Sequence, residues 1–408
     1  MTEIDRRLFL TQSTGALAAM ALVPELKAFG GILRDEPLRI GVIGVGRQGR
    51  EIIGELGKIA GVSVVAVCDV DERRLKSGLR RASGATGYAT VTELLGSGTI
   101  DAVAIATPTH THKEVALECM KSKIHVYLEC PLAHTREDCI AISDAARSAG
   151  GVIAAGLQGR SNPVYQLARG FFRSDSVRDL ISMRAQNNRK TTWVTPSNDP
   201  DRKAALNWKL DPTRSNGLAG EWGTQQFDVF HWYTGKYPTR VVGNGSVRYY
   251  EDGRTVPDTI ACSLMFEDGA TLGYDATLAN SYGGKHEVFF GSNAAIKLGW
   301  SHGWLFKEAD APTQGWEVYA NRQQFHNDEG ITLIAGATKL AEQGKLKEGI
   351  GLPHPAVYYA LEDWVMSIAN STSPACSIAE AARATVVGIA ANEAIVSGNP
   401  VDIDLSGL

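Results

Sequence analysis

LRIGVIGVGRQG, residues 38–49, decides the fold. Its first half, Leu38–Ile43, is an apolar run that reads as a buried strand, and it breaks at Gly44. Gly44, Gly46 and Gly49 then stand in the spacing G-x-G-x-x-G, and an amphipathic helical pattern opens at Gln48. Strand, glycine turn and helix in that order suit a dinucleotide pyrophosphate. One glycine turns the chain, one lets the backbone approach the phosphates, and one lets helix pack on strand, while the helix N-terminus offers N–H donors. Arg47 and Gln48 project from the same turn. A second apolar run over 62–67 leads to Asp69, 20 residues beyond Gly49, where a carboxylate accepts from ribose hydroxyls and disfavours a 2′-phosphate. NAD is therefore the expected cofactor. Arg73 and Arg74 can cradle a phosphate, which leaves NADP open.

Outward from this unit, apolar runs alternate with helical patterns: helices over 48–59, 72–82, 113–121 and 136–149, strands over 102–106, 124–128 and 152–155. That alternation predicts an α/β domain with a doubly wound parallel Rossmann sheet over residues 38–160. Ligands in such sheets lie at the carboxyl ends of the strands. Thr107, Pro108 and His112 in "TPTHTH" occupy one such end, and Glu129, Cys130 and Pro131 in "HVYLECPL" the next.

After Ser161 the register changes. A helix over 164–172 precedes long strand patterns at 179–186, 239–249, 259–266, 270–277, 286–291 and 294–297, with Glu-Asp-Gly turns at 251–253 and 267–269. These predict an α+β domain over 161–350 with a mostly antiparallel sheet, open on one face. A helix is expected over 217–233, and residues 310–350 form a poorly patterned excursion. Two helices, 358–369 and 379–396, lie in a C-terminal segment, 351–408, expected to pack back on the first domain.

A chain of 408 residues with 44% hydrophobic and 21% charged content supports two cored domains, and a net charge of −4 speaks against nucleic acid or an anionic membrane as partner. Six cysteines without a C-x-x-C pair give no metal-binding pattern. At the N-terminus, Arg6-Arg7 precedes an apolar stretch, "TGALAAMALV", too short to span a bilayer. Residues 1–30 read as a twin-arginine export signal, implying a periplasmic protein with no integral membrane segment after signal removal; a basic start to an amphipathic helix is the alternative. Eight Trp and twelve Tyr, many among Gly, Asn and Arg in the second half, suit a polyhydroxylated ligand as well as an ordinary core.

The stretches "IGVIGVGRQGR", "VAVCDVDERR", "DAVAIATPTHTHKEVALECMKSKIHVYLECPLAHT" and "GLAGEWGTQQFDVFHW" together resemble the glucose–fructose oxidoreductase / inositol dehydrogenase (Gfo/Idh/MocA) family from Leu38 onward. The resemblance implies a nicotinamide cofactor, a sugar or cyclitol substrate, and dimers or tetramers formed through the open sheet face. Two positions depart from the family pattern. Glu129-Cys130-Pro131 stands where the family carries Glu-Lys-Pro, and Glu221-Trp-Gly-Thr-Gln225-Gln-Phe-Asp228 where it carries D-x-G-x-H-x-x-D. The family's lysine and histidine are thus replaced. Gln225 cannot titrate and can only orient a hydroxyl. Candidate proton acceptors are Glu221, Lys209, His231 and a Cys130 thiolate, against a packing role for the thiol. Tyr165, Asn187, Arg189, Trp208, Arg214 and Asp228 are candidate substrate contacts. The expected function is an NAD(P)-dependent oxidoreductase moving hydride to and from a ring secondary alcohol of a sugar or glycoside. One alternative is glycoside hydrolysis or elimination through transient oxidation; another is a non-catalytic NAD- and sugar-binding protein.

Overall fold

A computed structural model describes residues 36–408 apart from 175, 316, 318, 319, 326 and 327; the twin-arginine segment lies outside the described residues. The chain begins with β1 (Leu38–Ile43), α1 (Arg47–Leu56), β2 (Val62–Cys68), α2 (Glu72–Arg81), β3 (Thr86–Tyr88) and α3 (Val91–Gly96). It continues through β4 (Ala102–Ile105), α4 (His112–Lys121), β5 (His125–Leu128), α5 (Arg136–Arg147) and β6 (Ile153–Ala155). The strands form a six-stranded sheet in the order β3-β2-β1-β4-β5-β6, and its pairs are parallel. Helices on both faces leave no side of β1 or β4 wet, so their side chains are buried in near-continuous apolar runs. The strand order reverses between β1 and β4, which opens a crevice at their carboxyl ends.

α6 (Pro163–Arg173) leads into β7 (Leu180–Asn188), and α7 (Pro200–Leu206) lies in the crossover after it. A π-helical turn, Ala219–Gly223, opens α8 (Thr224–Thr234). β8 (Arg240–Ser246), β9 (Thr259–Met265), β10 (Thr271–Thr277), β11 (Lys285–Gly291), β12 (Ala294–Leu298) and β13 (Gly303–Lys307) follow. After them come β14 (Arg322–Gln324), β15 (Glu329–Thr332), α9 (Ala337–Glu342), α10 (Ala356–Asn370), α11 (Ile378–Ser397) and β16 (Val401–Asp402). The second sheet has ten strands in the order β14-β15-β13-β12-β11-β7-β10-β9-β8-β16, antiparallel except at β7–β10. Alternate residues of β10, Leu272, Tyr274 and Ala276, are buried under α8, while Thr271, Gly273, Asp275 and Thr277 face away.

The expected helix over 217–233 is split: a π-helical turn precedes its α-helical part. The excursion over 310–350 holds β14, β15 and α9, which extend the sheet; strands of three and four residues are too short for periodicity to reveal. β13 was hidden for a similar reason, since its five residues begin at Gly303, just after Gly299.

The C-terminal helices join the halves. Leu361 and Trp364 of α10 share a core with Ile40 of β1. α11 places Ala381 and Ala384 in the first domain's core and Val387 and Ala391 in the second's. A Cβ at Gly388 would sit 2.6 Å from Thr224 Oγ1 and 3.0 Å from Gly220 Cα, so α11 meets the π-helical turn backbone to backbone.

Candidate active site

The glycine turn comes first. Gly44 has φ +84°, and a Cβ there would fall 2.7 Å from the Ala106–Thr107 peptide. A Cβ at Gly49 would lie 1.9 Å from the Gly44 carbonyl oxygen, so helix α1 can pack on β1 only without one. Asp69 accepts the Val45 N–H through Oδ2 and the Asp71 N–H through Oδ1, both at 2.8 Å. Its carboxylate therefore pins the glycine turn to the loop after β2, and burial raises its pKa despite these bonds. Arg74, rather than the exposed Arg73, brings its guanidinium to within 3.5 Å of the position a Gly46 Cβ would take. Arg47 is exposed at the start of α1. Thr107 Oγ1 is buried without a hydrogen-bond partner at the β4 end. A cradle without Cβ atoms, an orphan hydroxyl and two strand-end turns fit a dinucleotide. Gly44, Gly46, Arg74, Asp69 and Thr107 would hold it, and the nicotinamide would accept or return hydride.

The two strand-end turns are tied together. His112 wedges its ring between the carbonyl of Thr107, 2.9 Å from Nε2, and those of Pro131 and Leu132, 3.0 and 3.2 Å from Nδ1. Burial drops its pKa to about 4, so it is a neutral strut beneath Pro108 rather than a ligand contact. Gln48 Nε2 donates to Glu129 Oε1 at 3.1 Å, and Tyr127 donates to the same oxygen at 3.3 Å. Burial lifts the Glu129 pKa to about 7. The Cys130–Pro131 peptide is cis. Cys130 is no base: burial, with Cys376 and Glu129 nearby, drives its thiol pKa well up, and it packs against the first domain's core.

The π-helical turn supplies the other wall. Gly217 adopts φ +57°, and a Cβ at Gly220 would lie 2.1 Å from Asn216 Cβ, so this tight turn needs glycine. It delivers Glu221, buried, to Thr109, whose hydroxyl donates to Oε2 at 3.2 Å. Lys209 Nζ lies 4.0 Å from the same oxygen. Burial raises the Glu221 pKa and Lys209 opposes that rise. Lys209 also sits 5.2 and 5.4 Å from the ring centres of Trp193 and Trp208, and the Trp208 ring is 5.7 Å from that of His110. Gln225 donates to the Gly156 carbonyl at 2.6 Å and accepts the Gln158 N–H at 3.1 Å, which makes it a staple between the domains.

Several expected substrate contacts are elsewhere. Asp228 is fully buried and receives Arg160 through two bonds of 2.7 and 2.9 Å; Arg160 also pairs with Glu380 of α11. Tyr165 points into the core, its hydroxyl on Glu287. His231 stacks on Tyr237 at 3.6 Å, with Nδ1 3.3 Å from the Lys236 carbonyl oxygen, away from the cleft. Arg214 pairs with Asp211 at the surface, Arg189 is exposed, and Asn187 is buried on the inward face of β7 opposite Lys285. For Tyr165, Asp228 and Asn187 residue type suggested polarity at a site, and neighbours distant in sequence set where they lie; His231 and Arg214 are taken up by local partners instead. Trp193, Trp222, Thr109 and Arg202 escaped sequence reasoning. Arg202 of α7 binds Asp71 at the start of α2, so the crossover after β7 is strapped to the nucleotide crevice of the first domain.

A family model described as "Oxidoreductase family, NAD-binding Rossmann fold" matches residues 38–157, and the "GFO/IDH/MocA C-terminal domain" matches residues 184–297. Inositol 2-dehydrogenase of Pseudarthrobacter chlorophenolicus is 28% identical over 208 residues, which is 50% of this chain and only 57% of that protein. Inositol 2-dehydrogenase 1 of Saccharopolyspora erythraea is 25% identical over 90% of this chain and 97% of its own length. The 2,7-anhydro-N-acetylneuraminate hydratase of Escherichia coli is 26% identical over 64% of this chain and 67% of that protein. Among solved structures, levoglucosan dehydrogenase in complex with NADH and levoglucosan superposes with a TM-score of 0.71 at 19% identity, covering 90% of this chain and 100% of that one. With both family domains matched in order, an NAD-binding Rossmann domain followed by the C-terminal domain, the chain belongs to the Gfo/Idh/MocA oxidoreductase family.

Proposed function

We propose that this chain is an NAD-dependent oxidoreductase acting on a ring secondary alcohol of a sugar or glycoside, with Glu221 and Lys209 handling the hydroxyl proton. The observation that carries this reading is the Thr109–Glu221–Lys209 contact at the β4 end, beside the glycine turn. The family pattern's lysine and histidine are here Cys130, a protonated thiol, and Gln225, a staple to backbone. The buried Glu221 carboxylate is then the base at hand. Bound NAD would accept the carbinol hydride; Glu221 is placed to take the O–H proton as the carbonyl forms, and its raised pKa makes it a stronger base than a solvated carboxylate. Lys209 hydrogen-bonds the hydroxyl oxygen and steadies its developing charge.

A redox-neutral variant has its own support. The hydratase relative and the strap over the crevice both suit a cofactor that is reduced and reoxidised within one turnover, with elimination or glycoside cleavage between. The twin-arginine-type start, residues 1–30, supports export to the periplasm, where a retained cofactor is an advantage.

Purified protein loaded with NAD and offered sugars, cyclitols and aryl glycosides tests the reading through reduced-nicotinamide absorbance and aglycone release. Net reduction supports the dehydrogenase, and aglycone release without it supports the redox-neutral variant. Glu221→Gln and Lys209→Met are each expected to lower turnover about 10²- to 10⁴-fold with NAD binding retained. Bound NAD with no reaction across the panel overturns both.

A further inference from the structure

We propose that Trp193 and Trp222, backed by the buried Trp208, form a second carbohydrate subsite beside Lys209 and Glu221, so that the substrate is a glycoside carrying a sugar ring beyond the one oxidised. This rests on the carbohydrate reading above and names the class within it.

Three observations carry it. Trp193 holds φ +62°, a left-handed conformation that costs a bulky residue free energy and that the surrounding contacts must sustain. Its ring meets Trp222 edge-to-face at 5.5 Å, with an interplanar angle of 90°. Neither indole is fully buried, although both pack partly on the second domain's core. Next, the aromatic wall is continuous from one domain to the other: Trp222 touches Trp193, Lys209 lies between Trp193 and Trp208, and Trp208 meets His110. Trp208 is buried and backs this wall, while Trp193 and Trp222 stay partly exposed; one pyranose ring covers about one indole face, so these two offer stacking area beyond the ring that reacts. Finally, polar groups punctuate that wall. His110 Nδ1 is buried without a hydrogen-bond partner, Lys209 is 34% exposed, and Glu221 accepts from Thr109 and is approached by Lys209.

A sugar matches this pattern chemically. Its C–H faces stack on indoles while its equatorial hydroxyls reach sideways for donors and acceptors, which here are His110, Lys209 and Glu221. A purely apolar guest would leave His110 Nδ1 unpaired.

The test compares glucose with cellobiose, maltose and lactose by tryptophan fluorescence titration of the NAD-loaded protein. At least one disaccharide is expected to bind about tenfold more tightly than glucose. Trp193→Gly removes the ring while suiting the left-handed backbone, and unchanged circular dichroism checks that the loss of its packing on the core leaves the fold intact. This substitution is expected to collapse the disaccharide preference to within about twofold, and Trp193→Phe to restore part of it. Equal affinities for glucose and all three disaccharides, no binding of any of them, or an undiminished preference in Trp193→Gly overturns the subsite. Hydride transfer is read separately from these affinities: a sugar that reduces NAD while the preference is absent sinks the subsite and leaves the oxidoreductase standing.

Discussion

Glu129 illustrates how one carboxyl group at the crevice trades stability for position. Its pKa moves from 4.5 to about 7 because burial disfavours the charge, against the bonds from Gln48 and Tyr127. A carboxyl whose folded pKa is raised leaves the fold most stable below 4.5, where both states are protonated. Stability is then lost between 4.5 and about 7, as the unfolded chain ionises first. Glu129→Gln is therefore expected to stabilise the protein by about 3 kcal/mol at pH 8 and to change little at pH 4, measured by urea denaturation at both. Equal effects at the two pH values would remove this account. Residues of this kind were only partly legible. Gly44, Gly46, Gly49 and Asp69 could be read because spacing along one strand–turn–helix unit places them. Tyr165, Asp228 and His231 could not, since Glu287, Arg160 and Tyr237 take up their polarity and two of these three lie more than 60 positions away.

At the scale of elements, the crossover between β7 and the π-helical turn matters most. One end is tied to the first domain through Arg202 on Asp71, which also caps α2 by accepting the Arg74 N–H. The other end brings Trp208 to His110 and Lys209 to Glu221. Because this strap closes on Asp71 at the start of α2, a dinucleotide held in the β1–β4 crevice is expected to leave more slowly while the strap is shut. Arg202→Ala is expected to speed cofactor release about three- to tenfold, read by stopped-flow displacement of NADH fluorescence, with the sheet core untouched. An unchanged release rate would show the strap to be a bystander. Pro200 and Asp199 make the start of α7 recognisable as a capped helix, but nothing local announces that its Arg202 reaches Asp71.

For the whole molecule, no helix among the described residues covers one face of the second sheet, and Phe290 of β11 is exposed on it. Ten strands with an uncovered face invite a second copy, and we expect a homodimer or homotetramer through it. Phe290→Lys is expected to lower the sedimentation coefficient to that of a monomer while the circular dichroism stays the same; a wild-type monomer would refute the interface. The sequence by itself determined the two-domain order, the parallel sheet, the nucleotide turn and the antiparallel character of the second half, because these follow from periodicity and glycine spacing within windows of a few tens of residues. Tertiary structure alone decided the rest: that Cys130 is a protonated packing thiol, that Gln225 staples Gly156 to α8, that Asp228 belongs to Arg160, and that Glu221, Lys209 and three tryptophans share one wall. Those outcomes depend on burial and on partners brought together by the crossover and by α11, and neither burial depth nor long-range partnership is written in local sequence.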